Sequence, residues 1–143
     1  MSEVSIFRLY LLRAGYIVIA VGLTIMIWPA IIRPPENISH MGTVVRSVLA
    51  AVSLLAVLGI RYPLKLLPVL FFELLWKTIW ILAFALRLGA AQGLDADMKG
   101  TLKDNIVGII LVLVVMPWGY VLKHYLKAPG DPWRKRVASS AGR

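Results

Sequence analysis

The chain contains no cysteine, only 7 acidic residues and only 2 histidines among 143. Without cysteine there is no disulfide, no thiolate metal site and no cysteine nucleophile, and the redox compartment leaves no trace. His40 and His124 flank different apolar runs and are expected at opposite membrane faces, so they cannot share a haem or a metal. Glu36 and His40 are two ligands on one loop, too few for a metal site. No metal and no cofactor is therefore expected. No Ser-His-Asp set, P-loop or GxGxxG stands in a fitting context. No β-type alternation and no internal repeat is present. Asp95 and Asp97 read as solvated loop residues.

What the chain does have is apolar length. Its residues are 59% hydrophobic, with a mean hydropathy of +0.79, whereas a soluble domain is nearer about 45–50% apolar. That excess fits a chain whose solvent is lipid. The net charge is +9. The cations sit at the ends of apolar runs, not on one polar face, which points to the positive-inside pattern and attraction to anionic lipid. Nucleic acid is not an expected partner.

A membrane span needs about 20 largely apolar residues. Four segments qualify, near 8–31, 43–60, 63–87 and 104–125. The first ends around Trp28-Pro29. It is too long for a signal core of about 7–15 residues and reads as a retained span. Gly42-Thr43 suits the start of the second. Pro63 suits the first turn of the third, with Pro68 bending its opening. Asp104-Asn105 suits the N-cap of the fourth, and Pro117 its late kink. Residues 61–62 form a tight turn, which predicts that spans two and three pair as an antiparallel hairpin. Residues 88–103 read as a loop. The expected fold is all-α, a four-helix transmembrane bundle over residues 1–127 with a basic tail over 128–143.

Orientation follows from Lys and Arg at each face. The side holding both ends and the 61–65 turn carries ten: Arg8, Arg13, Arg61, Lys65, Lys123, Lys127, Arg134, Lys135, Arg136 and Arg143. The other side carries five, Arg33, Arg46, Arg87, Lys99 and Lys103. Both termini are expected to be cytoplasmic.

The most informative residues interrupt the third span: Glu73 and Lys77. Roughly fourteen Leu, Ile, Phe and Val residues favour insertion by on the order of 6 kcal/mol. Two central charges oppose it by about the same amount. Alone, this helix is marginal in lipid. The spacing compensates, because residues four apart share a helix face and Glu before Lys is the favourable order. Trp76 and Trp80 share that face, with Phe84 and Arg87 extending it toward the outer rim. Glu73, Trp76, Lys77 and Trp80 thus form a candidate polar-aromatic binding stripe, with Trp80 placed to stack on the ammonium. Leu67, Phe71, Leu74, Leu75 and Leu82 lie on the opposite, packing or lipid-facing side. No catalytic residue is assigned.

Thr24 and Ser53 fall near the midplane of spans one and two and are possible companions of the pair. Arg13, Tyr16, Ala20 and Thr24 recur on one face of span one. Such a face lets helices approach and hydrogen-bond, so interhelical packing is the alternative. Tyr10, Trp28, Tyr62, Trp118, Tyr120 and Tyr125 near the span ends read as interface anchors. In the tail, Trp133 with Arg134, Lys135 and Arg136 combines an interfacial ring with cations. Each cation is worth about 1 kcal/mol on an anionic leaflet, which places these four residues on the lipid surface.

The segment Arg61-Tyr62-Pro63-Leu64-Lys65-Leu66-Leu67-Pro68 runs on into Phe72-Glu73-Leu74-Leu75-Trp76-Lys77. Together with Ala128-Pro129-Gly130-Asp131-Pro132-Trp133-Arg134 it resembles a group of small bacterial four-span proteins with no assigned activity. That resemblance implies the bacterial inner membrane. In size and span count the chain also resembles DoxX-like membrane proteins, without a motif residue to carry over. Three functional readings follow. The first is a non-enzymatic packing, accessory or oligomeric membrane subunit, with a second copy or another subunit as partner. The second is a small transporter or amphiphile-binding protein that uses the Glu73/Lys77 pair. It is similar to small multidrug transporters in placing a glutamate within four spans, although Lys77 departs from that pattern. The third is a membrane enzyme on a lipid-soluble substrate, with the pair as acid and base.

Overall fold

The computed structural model describes residues 4–134, and among these every regular element is helical. Helix α1 covers Ile6–Ile32, α2 His40–Arg61 and α3 Leu67–Ala91. Helix α4 covers Ala96–Val115 and α5 Trp118–Lys127. Three helices, α1, α2 and α3, are each long and apolar enough to cross a membrane. A fourth crossing is reached only if α4 and α5 count as one span, and they bend by 79° where they meet. The molecule is thus an all-α, multi-pass membrane protein.

Side-chain caps decide where the helices begin. Ser5 accepts from the Arg8 N–H at 3.2 Å, Ser39 from Gly42 at 2.9 Å and Asp95 from Met98 at 2.8 Å. Each pairs one of the N–H groups that a helix start leaves without an internal partner. These caps move two expected boundaries. Helix α2 begins at His40 behind Ser39, not at Gly42-Thr43. Helix α4 begins at Ala96 behind Asp95, so Asp104 and Asn105 are helical and cap nothing. The expected loop over 88–103 shrinks to four residues, 92–95, with Gly93 at φ 79°. The turn after α2 is longer than expected, spanning 62–66. Pro63 lies in that turn, and Pro68 takes the first turn of α3 without bending it.

Among the described residues, three departures interrupt the regular geometry, one of them a π-type stretch over Leu122–Lys127 that makes up most of α5. Within α3, residues Ile81–Ala85 form a π-type turn, with the Leu86 N–H donating to the Ile81 carbonyl. The break between α4 and α5 comes from Pro117. Met116 before it is forced to the extended region, ψ 127°, as the proline ring requires. Pro117 has no N–H for the Leu113 carbonyl; the Trp118 indole N–H supplies one at 3.0 Å. The Met116 carbonyl accepts from the Arg8 guanidinium at 2.8 Å. Both carbonyls are therefore paired, and the break is a built feature where a late kink was expected.

Packing pairs α1 with α2 and α3 with α4; α2 and α3 touch little, and α1 meets α4 only in part. The expected hairpin of spans two and three is therefore not the packing unit. The α1–α2 contact is close because Gly59 lets the Tyr16 ring approach, a Cβ there falling 2.6 Å from the ring. The Tyr16 hydroxyl donates to the Pro63 carbonyl at 2.7 Å, and Arg13 donates to Ile60 at 3.1 Å. One face of α1 thus satisfies the carbonyls at the end of α2 and in the turn beyond it.

The core is lopsided. Leu12, Tyr16, Ala56, Leu67, Leu70 and Met116 are all fully buried, and all lie toward the end that holds the 62–66 turn. No residue of α1 beyond Ala20 and none of α2 before Ala50 is buried. In α4, Asn105 is the sole buried residue before Val112. The two helix pairs meet at the turn end and part from each other toward the 33–39 and 92–95 loops, while within α3–α4 Ala85 stays buried and α4 still meets the 81–85 stretch.

Candidate functional site: a cleft around Glu73 and Lys77

Where the two helix pairs part, a cavity of about 420 Å³ opens between α1, α3 and α4. Its walls are mostly apolar: Val18, Ile19, Leu23 and Met26 from α1, Leu111 and Val112 from α4. Gly22 contributes no side chain, and a Cβ there would meet nothing within 4 Å. Such dimensions and walls suit a small-molecule site.

Polar groups cluster on the α3 and α4 walls. Glu73 and Lys77 both line the cavity, and they are 2% and 9% exposed. Their side chains form an ion pair within one helical turn. The second Glu73 oxygen accepts from the Trp76 indole at 3.2 Å. The Lys77 ammonium lies 4.5 Å from the centre of the Trp76 ring. Both carboxylate oxygens are therefore engaged, and the ammonium has a counter-ion and an aromatic face. This answers the marginal insertion of the α3 sequence, since a charge in low dielectric is tolerated when it is paired. Space for the lysine stem comes from α4: a Cβ on Gly108 would lie 2.7 Å from Lys77 Cε.

Asn105 joins this wall. It is 3% exposed, and its Nδ2 has no hydrogen-bond partner. A buried donor left unpaired costs about 1–3 kcal/mol, so its place beside the cavity invites an explanation. Thr101 and Asp104, one turn and one residue before it, line the cavity and are exposed, forming its rim.

Several expected site residues lie elsewhere. Trp80 is half-buried and outside the cavity wall, and the ring over the ammonium is Trp76. Phe84 and Arg87 are exposed. Phe84 lies within the π-type turn and Arg87 follows it, but the expected stripe already ends at Lys77, because Trp80 before the turn is off the wall. Thr24 is exposed on α1. Ser53 is buried, but it accepts from the Trp28 indole at 3.0 Å and donates to the Ala50 carbonyl at 2.6 Å. It fastens α1 to α2 and does not join the pair, and Trp28 is a packing residue more than an interface anchor. Trp133 and Arg134 are exposed. Lys135 and Arg136 lie outside the described residues.

Asn105 was hidden by its resemblance to an N-cap. Thr101, Asn105, Gly108 and Val112 recur at helical spacing, and that period places them on one face of a longer helix. Comparison with known protein families, with curated proteins and with solved structures finds no match for this chain.

Proposed function

We propose that this protein is a small integral membrane protein that receives an amphiphilic molecule in the cleft between α1, α3 and α4. The carrying observation is the cavity itself: about 420 Å³, apolar on the α1 side, with the buried Glu73–Lys77 pair and an unpaired Asn105 amide opposite. A subunit that served only to pack against others would have no use for these polar groups beside an open space. Intramembrane ionisable residues face such interiors because hydrocarbon does not solvate them. The surplus of Lys and Arg on the side of both ends supports cytoplasmic termini, and the resemblance to small bacterial four-span proteins implies the inner membrane. On that side the exposed Trp133 and Arg134 meet anionic headgroups. In this orientation the cleft opens toward the outer leaflet.

The test is photolabelling of the full-length protein in lipid nanodiscs with a diazirine-bearing decanol. Label is expected on α1 residues 18–27 and α4 residues 101–112. Gly22→Leu, which adds a side chain to the open space, is expected to reduce that label at least fivefold without changing the helix content. Label spread evenly over lipid-facing positions, and unchanged by Gly22→Leu, would overturn the proposal.

A further inference from the structure

We infer that the polar end of the occupant is an uncharged hydrogen-bond acceptor, a carbonyl carried on an apolar tail; this rests on the cleft reading above. The inference comes from counting what the cavity wall has left to offer. Glu73 has both oxygens engaged, one by Lys77 and one by Trp76. Each oxygen keeps a further lone pair, but the carboxylate is already bonded and charge-compensated. Among the described residues, the buried side-chain atom left with no partner at all is a donor. Asn105 Nδ2 carries two N–H groups and has no partner. The Lys77 ammonium has three N–H groups, of which Glu73 takes one while the Trp76 face attracts the charge. Lys77 and Asn105 both line the cavity, so a single acceptor atom can be approached from α3 and α4 together.

Charge then decides between a neutral and an anionic acceptor. The buried pair sums to zero. A carboxylate or phosphate brought beside it would add a net buried charge, which is costly in low dielectric. It would also have to pass Asp104 at the exposed rim. A cation would be held by Asp104 at the exposed rim, short of the interior, where Glu73 is already paired with the Lys77 ammonium. A carbonyl meets neither obstacle. Two kinds of molecule offer it with a tail that fits apolar walls: a quinone ring and an acyl ester.

The experiment is competition against the diazirine decanol, with probes that share a ten-carbon tail. Two are neutral, a decyl-1,4-benzoquinone and methyl decanoate; two are charged, decanoate and decyltrimethylammonium. At least one neutral probe is expected to halve cleft labelling at a concentration tenfold or more below either charged probe. The better of the two neutral probes identifies the source as ring or ester, and either result supports the inference. Asn105→Leu is expected to abolish the preference. Asn105→Gln, which keeps the N–H donors, is expected to retain it, and an unchanged helix content guards against misfolding of the leucine variant. Equal competition by neutral and charged probes, or a preference that survives Asn105→Leu with helix content unchanged, would overturn the inference and leave the cleft reading intact. If no probe competes and label avoids the cleft, the cleft reading itself fails.

Discussion

Lys77 lies across Gly108. A single carbon added to that glycine would approach Lys77 Cε to 2.7 Å and Cδ to 3.2 Å, so the close approach of α4 to α3 and the placing of the ammonium depend on each other. Gly108→Val is expected to destabilise the protein by about 1–3 kcal/mol, the usual cost of overpacking. SDS titration of the folded protein in mixed micelles, followed by helical circular dichroism, reads this directly. Shortening the lysine in the same chain, Lys77→Ala with Gly108→Val, should show non-additivity of at least about 0.5 kcal/mol, as residues in contact do.

The ion pair itself makes a sharper prediction. Removing one partner leaves the other charge buried without compensation, which costs about 3–5 kcal/mol. Glu73→Gln and Lys77→Met are each expected to fall in that range. The double variant Glu73→Gln/Lys77→Met buries no charge and is expected to recover most of the loss, ending within about 1 kcal/mol of the parent chain. The same SDS titration on the four proteins checks it. Losses that simply add would mean that the two side chains act separately.

Arg8 and Pro117 act together at the break between α4 and α5. Pro117 ends α4, and Arg8 then takes the Met116 carbonyl at 2.8 Å. Arg8→Met is expected to cost about 1.5–3 kcal/mol, the scale of a hydrogen bond to a charged group. Pro117→Ala restores the missing N–H and is expected to straighten the 79° bend. Spin labels at positions 110 and 126, read by pulsed electron resonance, should move apart in Pro117→Ala and hold their distance in Arg8→Met if the proline alone sets the bend.

Much of this architecture was legible in the residues. Hydropathy alone identifies helices crossing lipid, and the four-residue spacing of Glu73 and Lys77 is enough to pair them. The Arg13, Tyr16 and Ala20 face of α1 is also visible as a period, and it is the face that closes on α2. Other features were not readable because they depend on choices between equivalent local signals. Asp95 and Asp104 are both good caps, and only the structure shows that the earlier one starts α4. Trp76 and Trp80 both share a face with Lys77, and the ring that reaches the ammonium is decided by side-chain direction, not by spacing. The π-type turn at Ile81–Ala85 has no composition of its own, yet it shifts the helical phase on which the expected places of Phe84 and Arg87 relied. Ser53 was placed at the right depth, but its neighbours Trp28 and Ala50 claim its hydroxyl.

The central claim is that the helices part on the loop side and leave a cleft that polar groups line. Because the chain has no cysteine, single cysteines report on it cleanly. Gly22→Cys stands in the cleft, Ala56→Cys in the packed core and Ile25→Cys on an outward face, where Ile25 is 69% exposed. Thiols react with N-ethylmaleimide as thiolates, which need a polar surrounding. In intact membranes, position 22 is expected to react at least tenfold faster than positions 25 and 56, and methyl decanoate, which does not react with thiols, should slow it. A thiol at position 22 as inert as the other two would contradict the account.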